Sequence, residues 1–221
     1  MSRQEKEEEE LRGLVGGSAI GAAASIPLGY MADTVGAVGF YPIEGLVRYI
    51  AGNSDTLGEL AQTIKRKRQG KSTKVAWNYV RGELIGTLAG PILLIVFHTI
   101  SPLLNWNLYG PIGVIIAGAF AHSDNLGGMV ADFKRRAKSS GFKQGFQSFT
   151  KSYYMQGNAI FILISVSISF FVRTQGFEPR ENFLAGIEGT LMGFSDSIGA
   201  GLYAILMYKL AKRRANQLKT S

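Results

Sequence analysis

Residues 84–100 read LIGTLAGPILLIVFHTI and carry no formal charge, with His98 counted as neutral. Residues 156–172 (QGNAIFILISVSISFFV) and 108–123 (LYGPIGVIIAGAFAHS) are equally bare. The core helix of a soluble domain is apolar along one stripe, whereas these blocks are apolar around most of their circumference. Only a hydrocarbon environment covers such a surface on all sides. The blocks predict an all-α integral membrane protein, and 221 residues accommodate about six spans with short connections.

Charge sets the expected topology. Of 24 Lys and Arg, 17 lie in three segments: 65–74 (KRKRQGKSTK), 134–151 and 209–219 (KLAKRRANQLK). The stretches 101–109 and 174–183 are uncharged or nearly balanced. An excess of Lys and Arg marks the cytoplasmic, matrix or stromal side, so the basic segments and the C-terminus belong there. Each interval between them then holds an even number of spans, placed at 14–31, 36–53, 77–99, 108–130, 156–173 and 184–208. The first pair is Gly/Ala-rich and carries Asp33, Glu44 and Arg48, so a single re-entrant or tilted segment is the alternative there.

The chain writes one unit three times. A displacement of 69 residues brings Arg12, Gly13, Gly17 and Gly21 onto Arg81, Gly82, Gly86 and Gly90. It also brings Pro42-Ile43 onto Pro111-Ile112, and Ser54, Asp55, Leu57 and Gly58 onto Ser123, Asp124, Leu126 and Gly127. A more diverged third copy matches Ser195, Asp196 and Gly199 at an offset of 72, and Gln156-Gly157 at 75. The organisation is therefore three tandem two-helix hairpins in one membrane domain. Residues 1–11 are an acidic tail, 12–76 the first hairpin with its basic helix, 77–153 the second, and 154–221 the third with a basic C-terminal tail. The glutamates of the N-terminal segment (MSRQEKEEEELRG) are expected to be solvated, and the segment lacks the basic start of a signal peptide, so it is expected to be retained.

Gly13, Gly17 and Gly21, and Gly82, Gly86 and Gly90, put small residues on one helix face, where close backbone approach drives packing in lipid. Pro42 and Pro111 suit the outer starts of returning helices. Ser54-Asp55, Ser123-Asp124 and Ser195-Asp196 support two readings. They are helix caps, or their carboxylates converge on one intramembrane ion or substrate site; an ionisable group at that depth is costly unless it serves a partner or an ion. Glu44 and Glu188, each in an IEG sequence, are further candidates. Glu83 and Arg81 are expected near the inner interface, snorkelling or paired with each other. His122 adjoins the second motif.

In GFKQGFQSFTKSYYMQ, Phe142, Phe146, Phe149 and Tyr153 recur at helical spacing among polar residues. That pattern predicts an amphipathic helix in the headgroup plane, with Lys134, Arg135 and Arg136 also at the lipid interface. With a net charge of +8, anionic lipid on the basic side is the expected partner. A homo-oligomer or partner membrane subunits are allowed, and nucleic acid is not expected.

The absence of cysteine excludes disulfides, thiolate catalysis and Cys metal sites, and two histidines make no His-rich centre. No H-E-x-x-H, G-x-S-x-G or phosphate-binding glycine loop is present, so neither an enzyme activity nor a cofactor is assigned. Tandem hairpins resemble mitochondrial carriers in outline, but the carrier motif P-x-(D/E)-x-x-(K/R) fails here. PIEGLVR places Arg48 one position too late and on the wrong helix, so no family is assigned. The expected function is a transporter or channel for a small ion or solute. The alternative is a non-catalytic membrane scaffold packed through its glycines and basic loops.

Overall fold

The computed structural model of the chain describes residues 3–37, 50–100, 122–174 and 198–214, with positions 39, 43, 47 and 217. Among the described residues the protein is all-helical, with no strand. The helices are α1 (Arg3–Arg12), α2 (Val15–Ala37), α3 (Ser54–Arg68), α4 (Lys74–Ile100), α5 (Ser123–Ser140), α6 (Phe142–Thr150), α7 (Tyr153–Thr174) and α8 (198–214). Glu44, Arg48, Glu188, Ser195, Asp196, Pro42 and Pro111 lie outside the described residues, as do the side chains of Asp33 and His98.

Glycine decides how the helices pair. A Cβ on Gly17 would strike the Gly58 carbonyl, and one on Gly21 would strike the Ser54 carbonyl, so α2 and α3 touch backbone to backbone. In α4 and α5, Gly82 meets the Gly127 carbonyl and Gly86 the Ser123 carbonyl. Gly157 of α7 lies against Ala200 of α8. Gly13 faces the Arg66 guanidinium, and Gly90 is buried in α4.

These contacts revise the register expected from sequence. The 69-residue displacement equates Gly17 with Gly86, but the residue that meets Gly127 as Gly17 meets Gly58 is Gly82. The outgoing helices thus match at an offset of 65 while the returning helices match at 69. The slip is one helical turn. In the structural register Ile20, Ile85 and Ile160 become equivalent, and all three face outward. Leu14, Tyr79 and Tyr154 become equivalent too, and all three are fully buried in one core with Leu11, Val80 and Met155.

The acidic N-terminal segment is not a solvated tail. It forms α1, and Glu8 and Glu10 are buried in it. Glu10 Oε2 accepts hydrogen bonds from the backbone N–H of Val75 (2.8 Å) and Ala76 (3.4 Å), while its other oxygen accepts from the Ser72 hydroxyl. A carboxylate there satisfies N–H groups that the first turn of α4 leaves unbonded, and it meets the positive end of the helix dipole. Glu7 pairs with Arg135 at 2.9 Å, binding α1 to α5.

Two of the three cations expected at the lipid interface are spent inside the protein. Arg136 is 2% exposed; its Nε donates to Asp132 at 2.6 Å and its Nη1 to the Ser148 hydroxyl at 2.7 Å. Arg135 pairs with both Asp132 and Glu7. Lys134 remains exposed. The amphipathic helix forms as α6 but is shorter than the aromatic spacing implies, because Tyr153 opens α7 instead. Gly141, at φ +80°, makes the turn that folds α6 back on α5, a backbone conformation glycine adopts without strain. Phe142, Phe146 and Phe149 stack edge-on around Phe133 of α5, with Phe149 also against the core; Phe142 and Phe146 stay largely exposed.

The outward faces are apolar. Ile20, Ile85, Leu88, Leu163 and Leu202 are each more than half exposed. Among the described residues, one helical stretch, Glu5–Leu28, is long and apolar enough to cross a membrane by length and composition. By length alone, α4 with 27 residues and α7 with 22 residues reach about 30 Å or more at 1.5 Å per residue.

Candidate functional site: buried carboxylates between the helix pairs

In each described pair, the residue that follows the contact glycine points away from the apolar outer face and inward. Those residues are Ser18 on α2, Glu59 on α3, Glu83 on α4 and Gly128 on α5. Ser18 donates its hydroxyl proton to Glu59 Oε1, so in the first pair a small residue on the outgoing helix faces a glutamate on the returning one. In the second pair the assignment is reversed: a Cβ on Gly128 would lie 2.9 Å from Cγ of Glu83. Side-chain bulk is thus exchanged between the pairs, and the two glutamates meet at the seam.

Glu59 is fully buried and Glu83 is 2% exposed. Each keeps a buried Oε2 with no hydrogen-bond partner among the described residues. Tyr154 of α7 donates to Glu59 Oε1 at 3.3 Å, and its ring meets that of Tyr79 edge-on, with centroids 5.4 Å apart. The Tyr79 hydroxyl, fully buried, faces Glu83, Glu59 and Asp124 and has no hydrogen-bond partner among the described residues. Asn158, one position after Gly157 and also fully buried, has an unpartnered Oδ1 among the described residues.

The Ser-Asp motifs sit at the same seam. Asp55 and Asp124 are 6% and 5% exposed, each in the first turn of its helix. Asp55 Oδ1 accepts from the Thr56 N–H at 2.8 Å, and Asp124 Oδ1 accepts from the Asn125 N–H at 2.7 Å. The second oxygen of Asp124 lies 3.5 Å from the Thr56 hydroxyl, across from the first motif. The N-cap positions belong to Asn53 and His122, without a side-chain cap hydrogen bond, so the Ser-Asp residues are not the caps expected from sequence. Each aspartate binds the N–H that follows it in the first turn, and the two described motifs lie next to each other. Ser54 does not join them, since its hydroxyl donates to the Ala51 carbonyl at 2.8 Å. Ser123 lines the outer side of the α4–α5 pair, and His122 is buried just before it. Asn53 accepts from the Thr87 hydroxyl at 3.0 Å, a second polar link between the pairs.

Four carboxyl groups thus share one seam, and the charged groups acting most strongly on Glu59 are carboxylates. Among the described residues no three His, Asp or Glu side chains are placed to hold a metal ion.

Glu59 and Glu83 are the residues that sequence reasoning missed. Glu83 neither snorkels nor pairs with Arg81, which is exposed, and Glu59 is not on the solvated face of its helix. A signal was present: each directly follows a glycine of the repeated pattern, as Gly58-Glu59 and Gly82-Glu83. No family model matches the chain, and no curated protein or solved structure matches it either.

Proposed function

We propose that the chain is a multi-pass membrane protein of three helix pairs that moves a small cation, the proton included, through the seam between them. Asp55, Glu59, Glu83 and Asp124 are its acidic groups, and Ser18, Thr56, Tyr79, Tyr154 and Asn158 its hydroxyl and amide groups. Asp196 and Ser195 supply the third motif in this reading. The observation that carries it is the burial of four carboxyl groups in one seam, with an unpartnered oxygen on Glu59 and on Glu83 among the described residues. Buried carboxyls are costly, and a site that takes up and releases positive charge gives them a use. An anion would be repelled by the same groups. The outward-facing Ile20, Ile85 and Leu163 and the three basic segments support a bilayer setting with the basic side inward.

The test is flux in proteoliposomes, read with a pH-sensitive dye and with sodium and potassium gradients. Glu83→Gln and Asp124→Asn are each expected to lower flux at least about tenfold, equivalent to ~1.4 kcal/mol on the barrier. Wild-type rates in both variants would remove the seam as the pathway.

A further inference from the structure

The outer face of the α4–α5 pair holds a groove of about 900 Å³, a size typical of small-molecule pockets. Its floor is Gly82, Gly86 and Gly127, the same glycines that let the two backbones touch. Because the helices run antiparallel, their sequences give the groove two distinct ends. On α4, Lys74 and Arg81 precede Ile85 and Leu93; on α5, Leu126 and Val130 precede Lys134 and Lys138. The cations gather at one end and the branched apolar side chains at the other.

Positive-inside bias alone does not produce this set. In the structural register Arg81 is matched by Gly16 on α2 and by Gln156 on α7, and Lys74, at the start of α4, falls before the start of either helix. Lys134 has a counterpart in Lys65, but Lys138 is matched by Gln69. The second pair therefore sets Arg81 and Lys138 at the groove where the first pair has a glycine and a glutamine, and with Lys74 and Lys134 this makes four exposed cations around it. Arg135, which also lines the groove, is already committed to Asp132 and Glu7.

We propose that this groove binds one anionic phospholipid of the surrounding bilayer, resting on the membrane reading above. The phosphate lies between Arg81 and Lys134, with Lys74 and Lys138 around the headgroup. An acyl chain follows Ile85, Leu93, Leu126 and Val130 toward the apolar end. Charge complementarity selects the headgroup, and the bare glycine floor gives the chain its depth. A zwitterionic lipid fits the apolar end equally well but brings an ammonium group to four cations.

The experiment uses the full chain purified in detergent, titrated in native mass spectrometry with phosphatidylglycerol or with phosphatidylcholine of the same chains. Phosphatidylglycerol is expected to bind about thirtyfold tighter, taking roughly 1 kcal/mol for each of the two cations that flank the phosphate, Arg81 and Lys134. Arg81→Gln with Lys134→Gln together are expected to bring the two lipids within about twofold of each other, while Lys65→Gln on the first pair keeps the preference. Both altered side chains of the double variant are exposed, so its fold is preserved; circular dichroism verifies this. Glycerophosphoglycerol, the headgroup without chains, is expected not to displace the lipid. Equal binding of both lipids, an unchanged preference in the double variant, or displacement by the headgroup alone would each overturn the proposal while leaving the membrane reading intact. A chain that stays monodisperse without detergent and retains neither lipid would overturn both.

Discussion

Glu59 shows how much a single position depends on what faces it. Its neighbours across the packing are Ser18 on α2, Glu83 on α4, Tyr154 on α7 and Asp55 on its own helix, and none of them is a cation. A buried carboxyl with no cation beside it is costly to hold charged. Glu59→Gln, which keeps the size and one acceptor oxygen, is therefore expected to raise the unfolding temperature at pH 8 relative to the wild type. A thermal-unfolding series in detergent reads it, and a variant that melts below the wild type would contradict the assignment. At this scale the sequence was only partly legible. Asp55 and Asp124 stood out because Ser-Asp recurs, whereas Glu59 sits among Gln, Thr and Lys and looks solvated until a second helix is laid against it.

At the level of elements, the glycine faces were legible and their register was not. Glycines spaced four apart at 13, 17 and 21 fall onto themselves when slid by four, so a one-turn error leaves the pattern almost intact. What distinguishes the registers is contact, Gly17 with Gly58 and Gly82 with Gly127. The returning carbonyl at Ser123 occupies the space a Cβ on Gly86 would need. Gly86→Ala is expected to cost at least about 3 kcal/mol, the upper end for overpacking, because backbone cannot rotate aside as a side chain can. Gly52, with open space around it, is the control: Gly52→Ala should stay within about 1 kcal/mol of the wild type. Comparable melting shifts in the two variants would remove the close-packing argument. The amphipathic α6 was legible from its aromatic spacing, but its end was not, since Ser152 interrupts a periodicity that Tyr153 continues on paper.

For the whole molecule, helical class and the apolar faces were readable from the uncharged blocks, while the role of the N-terminal glutamates was not. Runs of acid normally stay in water, and only the proximity of Ser72 and Val75 turns Glu10 into a cap. The topology is open to direct measurement because the chain has no cysteine of its own. Single cysteines at the exposed positions Lys67, Lys138 and Lys212, introduced one at a time, are expected to react with an impermeant maleimide from the same face of sealed vesicles. Labelling split between the two faces would break the paired-helix topology. The reciprocal exchange of Ser18 and Glu59 for Glu83 and Gly128 also bears on symmetry. Identical hairpins would carry the same residue at each of these positions, placing glutamates either on every outgoing helix or on every returning one. One glutamate of each kind, meeting at a shared border, requires pairs that differ in sequence, so a symmetric ring of one repeated hairpin could not make this acidic contact.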